Sequence, residues 1–558
     1  MIRVWAIDYL AENIQAPTVT LHYPSERELI EEISKNQYTH IGINFVVATF
    51  HKVRAMAALI RKHAPDAKII LGGYGTVLPD SVLQPYGDFM CREEGVKFLR
   101  RLFNEPDAPF KHPHAPIPAT RVLGYQRDAV VGHVTAGLGC TNGCDFCCTS
   151  HFFKQKYVPY SEGGRDIFEA LMKTRERSRA DGVEMNGFIV IDEDFFLHQK
   201  RAREFLDCVR ENGEALSLMG FGSVRGLSQF TAREISEMGF DVIWNAFEGR
   251  ESGYLKQKGR SLPELYADLK SVGVSQLTSM IIGFPYQDEQ TIRDEFEALM
   301  ALEPALTQCL IYFAFPGTPF HEQVIKEKRY LPRYEEQPDL RRWDGFSMHF
   351  THPKIDRPER VEEIQRELYR KDFERLGPSV MRLGRVWLTG HLNLRNDPNP
   401  LLRKRAERHG HDLRGVLPAL SATIAFAPSP AVRDRAIALR RDIIQATGEL
   451  TLKERAMETA SPLLHLVTQG ARAAGVFQQP GLLRTEHRMH GADASRHTSH
   501  VLRLQGGLNT APLQVLTEDL REIARRTAER VRPVNRLLDA ARVITQRAQG
   551  LPGSLPAG

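Results

Sequence analysis

Three cysteines stand close together in the chain, with a spacing suited to binding iron. Cys140, Cys144 and Cys147 form a C-x3-C-x2-C pattern, and they follow an apolar run from Val130 to Val134 that predicts a β-strand. Thiolates this close in a loop are too near one another to form disulfide pairs, but they can hold one iron–sulfur cluster at three corners. A [4Fe–4S] cluster bound in this way keeps one iron open for a small chelating molecule.

The alternative use of these cysteines is a structural zinc site. Zinc in such a site takes four Cys or His ligands, commonly supplied by a second closely spaced pair. The other cysteines of the chain stand singly in the sequence, at Cys91, Cys148, Cys208 and Cys309. The spacing therefore favours the cluster over zinc.

The first segment, residues 1–115, alternates strand and helix patterns. The predicted elements are a strand at residues 1–8, strand Ile41–Val47, helix Val53–His63, strand Lys68–Leu71 and helix Val96–Phe103. Such alternation predicts a doubly wound parallel sheet, flavodoxin-like or Rossmann-like, with ligands at the carboxyl ends of its strands. Gly72, Gly73 and Tyr74 directly follow a predicted strand, where glycines allow a close approach of backbone to a bulky ligand, or simply a tight turn.

After a proline-containing linker at residues 116–127, the alternation continues through residues 128–335. Besides the strand before Cys140, the predicted strands are Gly187–Ile191, Ser217–Ser223, Val242–Phe247, Leu277–Ile282 and Leu310–Phe315. Polar residues follow several of them, namely Asp192 and Asp194, then Ser223 and Arg225, then Glu248. Functional groups of parallel barrels gather at the carboxyl ends of the strands, and both these residues and the cysteine loop fall there.

With Phe146 directly before the third cysteine, the stretch Gly137–Cys148 resembles the signature of the radical S-adenosylmethionine (SAM) superfamily. This resemblance implies a partial (β/α)6 barrel, an oxygen-sensitive [4Fe–4S] cluster on the three cysteines, and SAM bound to the open iron. It also implies an electron donor such as flavodoxin or ferredoxin.

The same resemblance suggests roles for individual residues. Phe146 would lie beside the adenine of SAM, and Glu248 matches the acidic residue after the fourth strand that contacts the SAM ribose or amino group. Ser223 and Arg225 follow the third strand, where polar groups meet the SAM carboxylate, and a guanidinium fork suits that task. Asp192 and Asp194 could each face SAM or substrate, and our candidate catalytic residues are Glu248 and Asp192.

The run from His40 to Glu94 resembles the cobalamin-binding domain that precedes the radical core in one large class of these enzymes. The likeness lies in IGINF, LGGYGTVLP and CREEG, so Gly72, Gly73 and Tyr74 become candidate cobalamin contacts. The D-x-H-x-x-G motif, which supplies an axial histidine to cobalt, is absent from the sequence. Cobalamin is therefore a candidate third cofactor whose axial ligand the sequence does not provide.

The resemblance covers residues 40–376, including a Trp and His-Pro segment with a helix at 336–380. It implies cobalamin-dependent methylation at an unactivated carbon of a small-molecule or lipid-like metabolite. Two alternatives stay open: a corrinoid-free radical cyclisation, rearrangement or oxidation, and an RNA-modifying protein of the same superfamily. Residues 381–558 resemble no known family; they predict a mostly helical region that ends in a disordered tail.

Composition limits the broad class of protein. The chain has 558 residues, a net charge of +5 and seven cysteines. The charge is too small for this length to imply nucleic-acid binding, and an odd cysteine count without a secreted pattern favours a reducing compartment. No apolar run reaches the roughly 18 residues of a membrane span. We expect a cytoplasmic enzyme.

Overall fold

The computed structural model describes residues 4–114, 121–122, 125–126, 130–180, 182–332, 339–473 and 482–488. The first segment contains α1 (Trp5–Asn13), β1 (Thr18–His22), α2 (Glu26–Lys35), β2 (His40–Asn44), α3 (Phe50–His63), β3 (Lys68–Gly72), α4 (Asp80–Leu83), β4 (Phe89–Met90) and α5 (Gly95–Leu102). Strands β2, β3 and β4 form a parallel sheet in that order. The sheet packs on helices through buried side chains such as Ile43, Val53, Ile60, Leu71 and Leu83.

The strand expected at residues 1–8 is instead the start of α1. This helix packs against α5, and a side chain at Gly95 would collide with Leu10. Asp8 is buried on the helix and lies 3.0 Å from the His22 ring on β1. The buried residues of this helix are Asp8, Tyr9, Ala11 and Asn13, so tertiary packing overrides the short strand-like pattern at the start of the chain.

In the predicted linker, β5 (Arg121–Val122) pairs antiparallel with β6 (Tyr125–Gln126); residues 115–120 lie outside the described part. The barrel follows with β7 (Val130–Thr135), β8 (Gly137–Leu138), α6 (Cys148–Phe152), β9 (Val158–Pro159), α7 (Gly164–Ala180), β10 (Met185–Ile191), α8 (Gln199–Asn212), β11 (Leu218–Phe221), α9 (Val224–Leu227), α10 (Ala232–Glu237), β12 (Phe240–Ala246), α11 (Leu262–Ser271), β13 (Ser275–Ile282), α12 (Glu289–Ala301), β14 (Leu306–Ile311) and α13 (Pro319–Lys326). Six of these strands form one parallel sheet in the order β14-β13-β12-β11-β10-β7.

The strands of this sheet have one face against helices and one face toward the barrel interior. Asn245 and Thr278 are buried and share hydrogen bonds with Tyr266 of α11, which identifies the helix-covered face. Their neighbours Trp244 and Ser279 belong to the opposite face and keep partial solvent access. The interior is thus an open lumen, as expected for a partial barrel.

The sixth strand is Leu306–Ile311 rather than the predicted Leu310–Phe315. The apolar run that suggested the later span leaves the sheet and supplies contacts elsewhere. Tyr312 packs into the second half of the barrel core, and Phe315 packs with Trp343 into the core of the N-terminal segment. The run is apolar because it joins two cores, not because all of it is strand.

The chain then continues through α14 (Pro358–Leu376), α15 (Ser379–Leu394), α16 (Pro400–Ala425), α17 (Pro430–Thr447), α18 (Leu452–Ala473) and β15 (Leu483–His487). The helical prediction for the C-terminal region is confirmed through residue 473, and the predicted disordered tail lies outside the described residues. Strand β15 pairs antiparallel with β1, which returns the chain to its N-terminal segment. Among the described helices, none is long and apolar enough to cross a membrane.

Candidate active site at the cysteine loop

Backbone turns and side-chain hydrogen bonds order the cysteine loop. The Cys140 thiol accepts hydrogen bonds from the backbone and side-chain nitrogens of Asn142 at 3.5 and 3.3 Å. Ser150 Oγ donates to the Cys140 carbonyl at 2.8 Å and accepts from the Gly143 amide at 3.1 Å. Gly139 has φ +85°, and a Cβ there would collide with the Lys156 carbonyl, so this turn requires glycine.

The three cysteines of the motif share one electrostatic environment. Burial raises the pKa of Cys140 to about 11 and of Cys144 to about 12, and it also raises the pKa of Cys147. The charge of Cys147 adds to the rise at Cys140, and the charges of Cys147 and Cys140 add to the rise at Cys144, so the three thiols share one environment. Cationic iron would favour their thiolate forms, which makes this donor set fit a cluster.

Single-ion metal sites are a different case. Within the described ranges, no group of three His, Cys, Asp or Glu side chains is placed to hold one metal ion. A cluster does not need such convergence, because each thiolate binds a different iron corner. Cys148 follows the motif directly, but its side chain packs with the core of the N-terminal segment.

Phe146 lies in an aromatic group beside the loop. Its ring centroid is 5.5 Å from that of Tyr254 and 5.7 Å from that of Tyr312. Both tyrosine hydroxyls donate to the Asp145 carboxylate, at 2.5 and 3.1 Å. These contacts fix the position of the Phe146 ring beside the cysteine loop.

Glu248 follows β12 by two residues and has a left-handed backbone with φ +55°. Its side chain is 5% exposed and forms an ion pair with Lys256 through Oε1. The other oxygen, Oε2, is buried and has no hydrogen-bond partner within the described structure. A buried acceptor of this kind is costly unless a ligand satisfies it, so Glu248 is ready to bind a donor group.

Asp194 and Ser223 link the ends of β10 and β11. Asp194 Oδ1 accepts the Ser223 amide at 3.1 Å, whereas its Oδ2 is buried without a partner in the described part. Ser223 Oγ accepts the Gly226 amide at 3.1 Å and so begins the short helix α9. Arg225 on that helix is exposed, and its guanidinium makes no hydrogen bond or ion pair with the described residues.

Asp192 has a different environment from the one expected of a catalytic residue. Its Oδ2 accepts from Tyr157 at 2.7 Å and from Arg201 at 2.5 Å, and its Oδ1 accepts the Asp194 amide at 3.0 Å. The carboxylate is 1% exposed. Both oxygens are used inside the protein, so Asp192 supports the strand end and has no free oxygen for SAM or substrate.

The residue between the two buried aspartates has access to solvent. Glu193 is exposed to solvent, and its carboxylate makes no hydrogen bond or ion pair with the described residues. Even so, burial and the Asp192 charge raise its pKa to about 7. A side chain that is open to solvent and yet surrounded by protein lies in a concave, water-filled space. The sequence alone did not single out Glu193, because neither its residue type nor its position distinguishes it from Asp192 and Asp194.

Tyr74 brings the glycine loop of the N-terminal segment to this space. Its ring centroid is 5.2 Å from that of Phe152 on the cysteine-loop helix α6. Burial raises the pKa of its hydroxyl well above the ordinary value, and the Glu193 carboxyl adds to the rise. Tyr74 therefore connects the predicted cobalamin loop with the cysteine loop.

The glycines of that loop are explained in part by packing within the segment. A Cβ at Gly73 would collide with Asn44 and the Phe45 backbone, whereas Gly72 has only an ordinary contact with Cys91. The neighbouring strand β2 is more open. Gly42 has no atom within 4 Å of its Cβ position, and Asn44 is exposed. An uncovered sheet face beside the loop leaves room for a flat ligand with a side arm.

Comparison with known proteins agrees with this architecture. No family model matches the chain. An uncharacterized methyltransferase of Pyrococcus horikoshii is 25% identical over 323 residues, which make up 51% of this chain and 69% of that protein. A structure of TsrM, a radical SAM methyltransferase from Kitasatospora setae with cobalamin and a [4Fe–4S] cluster bound, aligns with 75% of this chain and 97% of that one. The TM-score is 0.50 at 15% identity. This chain has the TsrM fold.

The likeness to TsrM confirms the expected fold class. An α/β N-terminal domain, a partial (β/α)6 barrel and a helical C-terminal extension follow one another in this chain. The fold is thus that of radical SAM enzymes with an N-terminal cobalamin-binding-type domain. In this fold the cysteine loop, Glu248, Arg225 and Glu193 all follow the carboxyl ends of barrel strands, where functional groups of barrels lie.

Proposed function

We propose that this protein is a radical SAM enzyme and, most specifically, a cobalamin-dependent methyltransferase acting at an unactivated carbon of a small-molecule or lipid-like metabolite. The supporting observation is the set of unsatisfied groups at one end of the barrel. Three thiols share one space, and Glu248 and Asp194 each keep one buried oxygen without a partner in the described structure. When bound, the cluster and SAM supply a radical able to take hydrogen from unactivated carbon, and cobalamin supplies a transferable methyl group.

The protein's own residues bind and orient these groups. Cys140, Cys144 and Cys147 hold three irons, and Glu248 accepts a hydrogen bond from the SAM amino group or ribose. Arg225 is exposed and unpaired among the described residues, so its guanidinium is available to the SAM carboxylate. Phe146 covers the adenine. Glu193 replaces Asp192 in our assignment as the carboxylate that faces substrate.

The lumen is suited to a small organic substrate. Phe221 and Trp244 stack there with ring centroids 5.4 Å apart. Trp244 Nε1 donates to Ser279 Oγ at 2.6 Å, and Ser279 donates to Gln308 at 3.2 Å. A flat apolar surface with a few polar groups at its edge is typical of small-molecule sites.

Support for cobalamin comes from the open face of β2 at Gly42 and Asn44, next to Tyr74. A corrinoid-free reaction, such as a cyclisation or rearrangement, is the second candidate. Two observations favour this corrinoid-free reaction. Packing inside the segment already requires a glycine at position 73, so no ligand is needed to explain Gly73, and the axial-histidine motif is missing from the sequence.

The proposed enzyme needs an external one-electron donor, for which flavodoxin or ferredoxin is our candidate. It also needs reduced thiols, and all seven cysteines of the chain are free in the structure. We therefore place the protein in a reducing compartment such as the cytoplasm.

The test is replacement of each motif cysteine by alanine, with Cys148→Ala as the matched control. We expect Cys140→Ala, Cys144→Ala and Cys147→Ala to lose most bound iron and all reductive SAM cleavage. Cys148→Ala should keep both, because its side chain packs against the core of the N-terminal segment. Iron and sulfide assays with product analysis make the comparison. Equal loss in all four variants, or in none, would contradict the proposal.

A further inference from the structure

Lys256 is a half-buried cation beside the cysteine loop that the sequence did not single out. Its ammonium pairs with Glu248 and lies 5.6 Å from the Phe146 ring centroid and 6.0 Å from that of Tyr254. The side chain is 19% exposed. A charged group held over two aromatic faces and against one carboxylate occupies a fixed position, so its field acts in a fixed direction.

Geometry places this field beside the motif, because the ammonium lies over the ring of Phe146, which stands between Cys144 and Cys147 in the chain. Burial raises the pKa values of Cys144 and Cys147, and the Lys256 ammonium acts against the rise at both thiols. In the other direction, Glu248 and then the Cys144 and Cys147 charges favour the charged form of Lys256. The lysine is therefore electrostatically coupled to two of the proposed cluster ligands and to the residue proposed to hold SAM.

On the basis of the proposed function, we propose that Lys256 is a positioning residue that raises the reduction potential of the cluster. Reduction adds one electron, and hence one negative charge, to a cluster already surrounded by thiolates. A nearby fixed cation stabilises this more negative state relative to the oxidised one, and local charge is a recognised determinant of cluster potential. The electron comes from the one-electron donor of the flavodoxin or ferredoxin class named above.

Glu248 opposes this effect in part, because its carboxylate pairs with the lysine and carries the opposite charge. Its Oε1 takes the ion pair with Lys256, and its Oε2 has no hydrogen-bond partner among the described residues. Removal of the cation and removal of the carboxylate should therefore shift the potential in opposite directions. This difference in sign separates an electrostatic role from a loss of folding.

The experiment is a redox titration of the anaerobically purified protein, without SAM, followed by electron paramagnetic resonance. The variants are Lys256→Met, Lys256→Arg and Glu248→Gln, with Lys258→Met as the control because Lys258 is an exposed lysine of the same loop. We expect a lower midpoint potential in Lys256→Met, a higher one in Glu248→Gln, and wild-type values in Lys256→Arg and Lys258→Met.

Two results would overturn the inference separately: an unchanged midpoint in a cluster-bearing Lys256→Met protein, and an unchanged or lower midpoint in Glu248→Gln. If Lys256→Met does not assemble a cluster, the neutral variant Lys256→Gln takes its place in the titration, with the same expected fall in the midpoint potential. A wild-type protein that binds no iron–sulfur cluster under reconstitution would instead contradict the proposed function, so the two failures are distinguishable.

Discussion

At the scale of single residues, Glu248 combines a strained backbone conformation with a buried carboxylate oxygen that has no hydrogen-bond partner among the described residues. Its left-handed backbone costs on the order of 1–3 kcal/mol for a non-glycine residue. The Lys256 ion pair holds the side chain in this position. Its place after a strand was enough to identify Glu248 from the sequence, whereas Lys256 stands in a loop with no periodic pattern. Its role depends on how the loop folds back over Phe146, which no local rule predicts.

Glu193 allows a test of the cavity that does not require a known substrate. Its folded pKa of about 7 is above its ordinary value, so its contribution to stability is complete at low pH and is lost as pH rises through 7. Glu193→Gln removes this loss. After allowance for solvent screening of an exposed group, we expect the variant to gain about 1 kcal/mol over wild type at pH 8 and about a quarter of that at pH 5.

Urea unfolding of wild type and Glu193→Gln at the two pH values makes this measurement, with both proteins in the same cluster state. Glu211→Gln is the control, because its side chain is 64% exposed on the far helix α8. A gain that is equal at pH 5 and pH 8 would show that Glu193 is not in an enclosed cavity.

At the scale of elements, strand ends were predicted better than strand starts. Turn residues and polar side chains mark the carboxyl ends of β10, β11, β12 and β13, and the observed ends lie within two residues of the predicted ones. The last strand was misplaced because Tyr312 and Phe315 are apolar for packing outside the sheet. Helix α1 was misread because eight residues are too few to separate a buried helix face from a strand.

The C-terminal helices are attached to the barrel by a buried ionic network. Arg405 of α16 is fully buried, donates to the Phe240 carbonyl at 3.1 Å, and pairs with Asp241. His409 lies 3.0 Å from the same carboxylate. Burial alone would raise the pKa of Asp241, but Arg405, His409 and Ser217 hold it well below its ordinary value. This network fixes the helical extension beneath β11 and β12.

Arg405→Met should therefore destabilise the protein by about 3–5 kcal/mol at pH 7, because it leaves a buried charge without its main partner. In the variant, burial raises the Asp241 pKa, so protonation relieves the deficit as pH falls from 7 toward 5. Chemical denaturation across this range measures both effects. Arg441→Met, at a 74% exposed site, is the control and should change stability by less than about 1 kcal/mol. A loss of stability in Arg405→Met that is the same at pH 7 and pH 5 would contradict this account.

At the scale of the whole molecule, the chain closes on itself. Strand β15 pairs with β1, and Arg484 binds Glu32 of α2 at 2.8 and 3.0 Å. The sequence could not predict this pairing, since no local pattern links segments more than 450 residues apart. By contrast, the order of α/β domain, barrel and helical extension was readable, because strand–helix alternation and the cysteine motif are local features. The closure joins the extension to the domain proposed to hold cobalamin.

The central claim is that one chain holds both a cluster and a corrinoid. The most direct measurement is anaerobic purification from cells supplied with cobalamin, followed by assay of iron, sulfide and corrinoid per chain. We predict about four irons, about four sulfides and about one corrinoid per chain. A cluster without corrinoid would contradict cobalamin-dependent methylation and favour the corrinoid-free reaction. Zinc with neither iron nor corrinoid would contradict the account as a whole.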